Sequence, residues 1–228
     1  YIEGVTSGKV EIKANTLYPY DIVQKIFHGD GSPVLDAQWN ALPNYVSEDT
    51  NILVMADTSG SMSCCQYLPM ASAVGLAVYF AERNKGTFAG YYMTFSSRPR
   101  LKKLNGKTIF EKVRVPSIVE NTNLEAAFDL ILKTAIENKT PAEQLPKALV
   151  VISDMQIDSY QVRGADTFHE TFAKKFADAG YEIPNLVYWN VNSERDTFHA
   201  DAYRKGVQLV SGHSATTFKN VIQSLDKT

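Results

Sequence analysis

The chain is poor in the residues on which many functions depend. Its two cysteines, Cys64 and Cys65, are adjacent, and neighbouring residues seldom reach disulfide geometry. With no third cysteine there is no disulfide framework, which favours a reducing compartment. The pair reads as two reduced thiols near a helix start rather than a redox or soft-metal pair. Four histidines, His28, His169, His199 and His213, lie far apart without metal-ligand spacing and read as surface or structural residues. No apolar run approaches the roughly 20 residues that span a bilayer, and no signal peptide is visible. The net charge of -2 gives no general attraction to nucleic acid or anionic membrane. The expectation is therefore a cytoplasmic protein with no membrane partner. The chain begins at Tyr1 rather than Met, as a fragment would.

What is present is an ordinary globular composition, 44% hydrophobic and 21% charged over 228 residues. That length builds one α/β domain with a substantial core. Residues 1–48 read as a helical preface or the end of an upstream region, and 49–228 as the main domain. "LYPYDIVQKIF" has helical spacing after Pro19. "SPVLDAQWNALPNYV" opens on a Ser-Pro signal and sets Val34, Leu35, Gln38, Trp39 and Leu42 on one side. From residue 50 apolar runs alternate with helical segments. Strands are expected over 51–56, 88–96, 98–104, 146–153, 185–191 and 207–211. Helices are expected over 70–84, 124–139, 165–180 and 215–225. Such alternation predicts a doubly wound, mostly parallel six-stranded sheet with helices on both faces, a Rossmann-like α/β fold. Function then belongs in loops beyond the carboxyl ends of the strands.

Three of those loops carry oxygen donors. "ILVMADTSGSMS" ends a buried run in Asp57, Ser59 and Ser61, with Gly60 expected to permit a tight turn. The second loop offers Thr122, flanked by Asn121 and Asn123, ahead of the helix from Leu124. The third follows "ALVVIS" with Asp154, and Asp158 comes four residues later. If the strands from 51 and 147 are neighbours, Asp57 and Asp154 share one sheet edge. A hard divalent ion suits this set, Mg²⁺ first and Mn²⁺ or Ca²⁺ as alternatives. Hydroxyls are neutral, so at most two carboxylates offset the ion, and an open position favours an acidic group from a partner.

"DTSGS" matches the D-x-S-x-S signature of the metal-ion-dependent adhesion site (MIDAS) in von Willebrand factor A domains. Thr122 and Asp154 stand in the family's order as the fourth and fifth positions. The resemblance covers about residues 50 to 225 and implies metal contact by Ser59, Ser61 and often Thr122. Asp57 and Asp154 would act directly or through water. Apart from the resemblance, Asp158, as a brace of its loop, and Asn123 are candidate supporting residues. "VISDMQID", "VYWNVN", "LVSGHS" and "LYPYDIV" further resemble intracellular A-type domains of the Ro (TROVE) ribonucleoprotein kind. There the A domain follows a helical region that binds RNA in Ro. The resemblance implies a non-enzymatic, metal-dependent module that captures a protein's Asp or Glu within a larger assembly. RNA would be a partner through an upstream region.

Simpler readings compete. Serines after a strand are ordinary N-caps, Thr122 or Asn123 suits the cap of the next helix, and Asp154 suits a turn. "RPRLKK" offers Arg98, Arg100, Lys102 and Lys103 to RNA phosphates, or serves as an edge strand whose Pro99 and lysines discourage pairing. An Mg²⁺-dependent phosphoryl-transfer enzyme also starts from an aspartate after the first strand, but needs a carboxylate two residues on, where Ser59 stands. A dinucleotide domain lacks its G-x-G-x-x-G turn.

Overall fold

Alternation of burial within the first strand explains how the molecule is layered. In the computed structural model, β1 (Ile52–Ala56) is buried throughout. Ile52, Val54 and Ala56 face one hydrophobic cluster, while Leu53 and Met55 face another. A strand with two apolar faces needs helices above and below it. The structure describes residues 17–45, 51–114, 123–154, 165–191, 197–198, 207–212 and 215–226.

The sheet has the order β3-β2-β1-β4-β5-β7-β6 among the described residues. Its members are β2 (Tyr91–Thr94), β3 (Leu101–Lys103), β4 (Ala148–Ser153), β5 (Asn185–Asn190), β6 (Thr197–Phe198) and β7 (Val207–Ser211). The inner strands are parallel, and the edge strands β3 and β6 run antiparallel to their neighbours. The architecture is the expected α/β one, a doubly wound, mostly parallel sheet. The six expected strands are present, and β6 is an addition of two residues, too short for any periodicity to mark it.

Two helices in the first half of the chain and one at its end cover the Val54 side. They are α1 (Pro19–Phe27), α3 (Leu68–Arg83) and α7 (Ala215–Asp226), with Ile22, Val74 and Val221 in the same cluster. The Leu53 side takes α5 (Leu124–Glu137) and α6 (Ala165–Asp178), where Phe128, Phe172 and Phe176 pack together edge to face. Short helices α2 (Val34–Asn40) and α4 (Ile109–Lys112) complete the set.

Helix α3 is buried on nearly every side because α1 lies across its outer face. The two backbones meet at Gly75, where an added Cβ would stand 3.2 Å from the Pro19 carbonyl carbon and oxygen. Polar contacts fix the same segment. Trp39 Nε1 donates to Glu82 Oε2 at 2.8 Å, and Lys112 Nζ reaches Glu82 Oε1 at 2.7 Å. Tyr79 Oη donates to the Pro43 carbonyl and accepts from the Tyr45 amide. Trp39 and Trp189 are core residues.

Strand boundaries moved where turns intervene. β2 starts at Tyr91 rather than 88 because Gly86–Phe88 forms a 3₁₀ turn and Gly90 takes φ 75°. β3 is confined to Leu101–Lys103 because the backbone bends over 96–98. Among the described residues no helix is long and apolar enough to cross a membrane.

Candidate metal centre

Register places the first and third loops together. Ala56 pairs with Ile152, so Asp57 leaves β1 level with Ser153 at the end of β4. The Asp57 amide extends the ladder by donating to the Ile152 carbonyl at 3.0 Å. Asp57 is 1% exposed. Oδ1 accepts from the Ser59 amide at 2.9 Å and Oδ2 from Ser153 Oγ at 2.6 Å. Beyond it, Ser59 Oγ and Ser61 Oγ lie 3.1 Å apart, and Ser61 Oγ donates to Asp154 Oδ1 at 3.2 Å. Asp57 is sealed on the protein side while Ser61 is exposed and Asp154 half-buried. The group has a closed floor and an open mouth.

The capping alternative has a direct check. Ser59 precedes the 3₁₀ turn Gly60–Ser63, yet its side chain makes no capping bond. The hydroxyls of Ser59 and Ser61 bond to each other and to Asp154 instead. Asn123 does behave as a cap: its Oδ1 accepts from the Ala126 amide at 3.0 Å. Its own amide donates to the Ser96 carbonyl beyond β2 at 3.2 Å, which ties the start of α5 to the same end of the sheet. Thr122 and Asp158 lie outside the described residues. Gly60 corrects one expectation. Its φ is not positive and an added Cβ would meet nothing within 4 Å, so the turn makes no use of glycine's freedom.

The donor set is oxygen only, two carboxylates with hydroxyls between them. Among the described residues neither Asp57 nor Asp154 pairs with a basic side chain, and no three His, Cys, Asp or Glu residues cluster in a metal-ligating group. Two uncompensated carboxylates flanked by hydroxyls fit a hard cation that retains waters, and do not fit a soft one.

Ser153 was not among the expected site residues. The parallel register alone would have revealed it, since it stands opposite Asp57 on the adjoining strand. Ser153→Ala strips a buried carboxylate of one of its two hydrogen bonds. The expected loss is about 1.5–3 kcal/mol of stability, read from the shift in urea midpoint.

The chain then turns sharply. Cys65, Gln66 and Tyr67 take φ values of 51°, 57° and 61° in succession, a left-handed run that costs roughly 1–2 kcal/mol per non-glycine residue. Contacts from α1 hold it: Gln24 Nε2 donates to the Gln66 carbonyl at 2.8 Å, and Phe27 and His28 pack edge-on to Tyr67. No glycine or asparagine advertises this conformation in the sequence. Neither cysteine is in a disulfide. Loss of solvent, then the Cys65 thiol and the Asp154 charge, push the Cys64 thiol up, away from the reactive thiolate form.

Fold and register define a doubly wound α/β domain with a mostly parallel sheet. The crystal structure of the Deinococcus radiodurans Ro (RSR) protein aligns with a TM-score of 0.56 over 99% of this chain and 47% of that one. At 18% identity the likeness is one of fold. The chain belongs to the family described as Domain of unknown function (DUF7788), which matches residues 51–227. Uncharacterized protein L728 of Acanthamoeba polyphaga mimivirus is 28% identical over 232 residues, 98% of this chain and 40% of that protein. The chain thus spans under half the length of either relative.

Proposed function

We propose that this chain is a non-enzymatic binding module that holds Mg²⁺, or Mn²⁺ or Ca²⁺, at Asp57, Ser59, Ser61 and Asp154, with Thr122 as a further ligand. Bound there, the ion supplies Lewis acidity toward an incoming carboxylate. The observation that carries the reading is the bonded series Ser59–Ser61–Asp154 laid over the buried Asp57 carboxylate. These side chains bind and orient, and with one of the two carboxylates acting through water the neutral hydroxyls leave the ion electron-poor toward a partner's Asp or Glu. The likeness to Ro proteins supports a place in a larger intracellular assembly of the ribonucleoprotein kind, with RNA reached through another region.

A phosphoryl-transfer role is disfavoured because Ser59 stands where that chemistry needs a second carboxylate two residues after Asp57.

The test is water-proton relaxation of the Mn²⁺-loaded protein on addition of a short aspartyl peptide. Displacement of metal-bound water by the peptide, but not by its asparaginyl counterpart, is the expected result. Mg²⁺-dependent turnover of a generic phosphate ester, lost in Asp57→Asn, would overturn the reading.

A further inference from the structure

The open edge of the sheet lies close to this site and carries a run of cations. Arg98, Arg100, Lys102 and Lys103 are all exposed. Among the described residues none of the four forms an ion pair, in a chain whose net charge is -2. Thr94 pairs with Ala56 on β1, and its amide donates to the carbonyl of Arg100, the residue just before β3, at 3.0 Å. Arg100 is therefore two strand spacings, about 10 Å, from the residue before Asp57. Arg98 sits between β2 and β3 at the same carboxyl-end edge.

The backbone of β3 is also available. Bonds join Thr94 to Arg100 and Leu104 to Gly90, and hydrogen-bonded pairs alternate with non-bonded pairs along an antiparallel ladder. By that alternation Leu101 and Lys103, opposite Met93 and Tyr91, turn their N–H and C=O groups away from β2. Among the described residues no strand lies beyond them.

We propose that residues 98–103 form a docking strip for an extended acidic segment of a protein partner. The segment adds as a strand to β3 while one of its carboxylates reaches the Asp57 site. The inference rests on the metal-binding reading for that last contact only. Positive charge selects an acidic sequence, and outward amide and carbonyl groups select a polypeptide. A nucleic acid would meet the charges but leave the backbone groups unused. No exposed large aromatic among the described residues lies on the strip for base stacking.

The probe is a fluorescent ten-residue peptide of alternating Glu and Val, titrated by anisotropy against the full chain with Mg²⁺. Neutralising the strip by Arg98→Gln, Arg100→Gln, Lys102→Gln and Lys103→Gln is expected to weaken binding about tenfold. Methylating alternate peptide amides is expected to weaken it by a similar factor, and a ten-nucleotide oligouridylate to bind less tightly than the peptide. The four positions are exposed, so thermal melting should show the fold retained. Unchanged affinity of the neutralised variant, unchanged affinity of the methylated peptide, or tighter binding of the oligouridylate would each overturn the proposal. If chelation or Asp57→Asn leaves peptide affinity unaltered while the neutralised variant loses it, the strip stands and the metal reading fails. Metal-dependent binding insensitive to the strip has the opposite meaning.

Discussion

Asp57→Asn yields a folded protein whose Mg²⁺ affinity is lower by about a hundredfold or more. Asparagine has the same shape, its Oδ1 still accepts the Ser59 amide, and its Nδ2 donates to Ser153 Oγ where the carboxylate accepted. The structural bonds therefore survive. What disappears is one of only two negative charges in the donor set, and losses of tenfold to a hundredfold already attend changes in groups that merely support a metal's ligands. Calorimetric titration with Mg²⁺ measures the effect directly. Thermal melting gives a second reading, because a ligand at a hundred times its Kd stabilises the native state by about 2.7 kcal/mol and at its Kd by about 0.4 kcal/mol. A Mg²⁺-dependent rise in Tm that is the same in both proteins would sink the assignment. So would a parent protein that does not respond to the ion.

The largest stability loss is expected from Asn84→Ala. Strand β2 pairs with β1 only at Met55 and Ala56, so Ile52 lacks a strand partner on that side. Asn84, 6% exposed at the end of α3, takes the place of that partner. Its Oδ1 accepts from the Ile52 amide and its Nδ2 donates to the Ile52 carbonyl, both at 2.9 Å. Alanine leaves a buried donor and a buried acceptor unmet. At about 1–3 kcal/mol each the cost is about 2–6 kcal/mol, or a fall in Tm of roughly 4–24 °C for a domain of this size. Calorimetric melting decides it. A loss below about 1 kcal/mol would mean that water takes over the amide's role.

These two residues illustrate what a single sequence makes legible. Asp57 stands out because a buried apolar run stops at it and hydroxyls follow. The same contrast between apolar runs and polar loops makes β1, β4 and their alternation with helices readable. Asn84 looks like any polar residue at a helix end, because its role depends on where β2 stops pairing. Ser153 is similarly silent: its neighbour Asp154 reads as the functional residue, and only the alignment of two strands shows Ser153 reaching Asp57. Gly60 misled in the other direction, a turn residue by type whose backbone needs no glycine. The left-handed run over Cys65–Tyr67 had no local signal because contacts from α1, forty residues upstream, hold it in place.

The cover that α1 lays over α3 has a consequence for where this molecule can be divided. The family description matches from Asn51, but Gly75 and Tyr79 have neighbours upstream of that point, Pro19 and Pro43. The stretch that the family description covers and the stretch that packs as one unit are therefore unequal in length. Excising the former would wet a helix evolved to stay dry and would unfasten the bend beside the acidic turn.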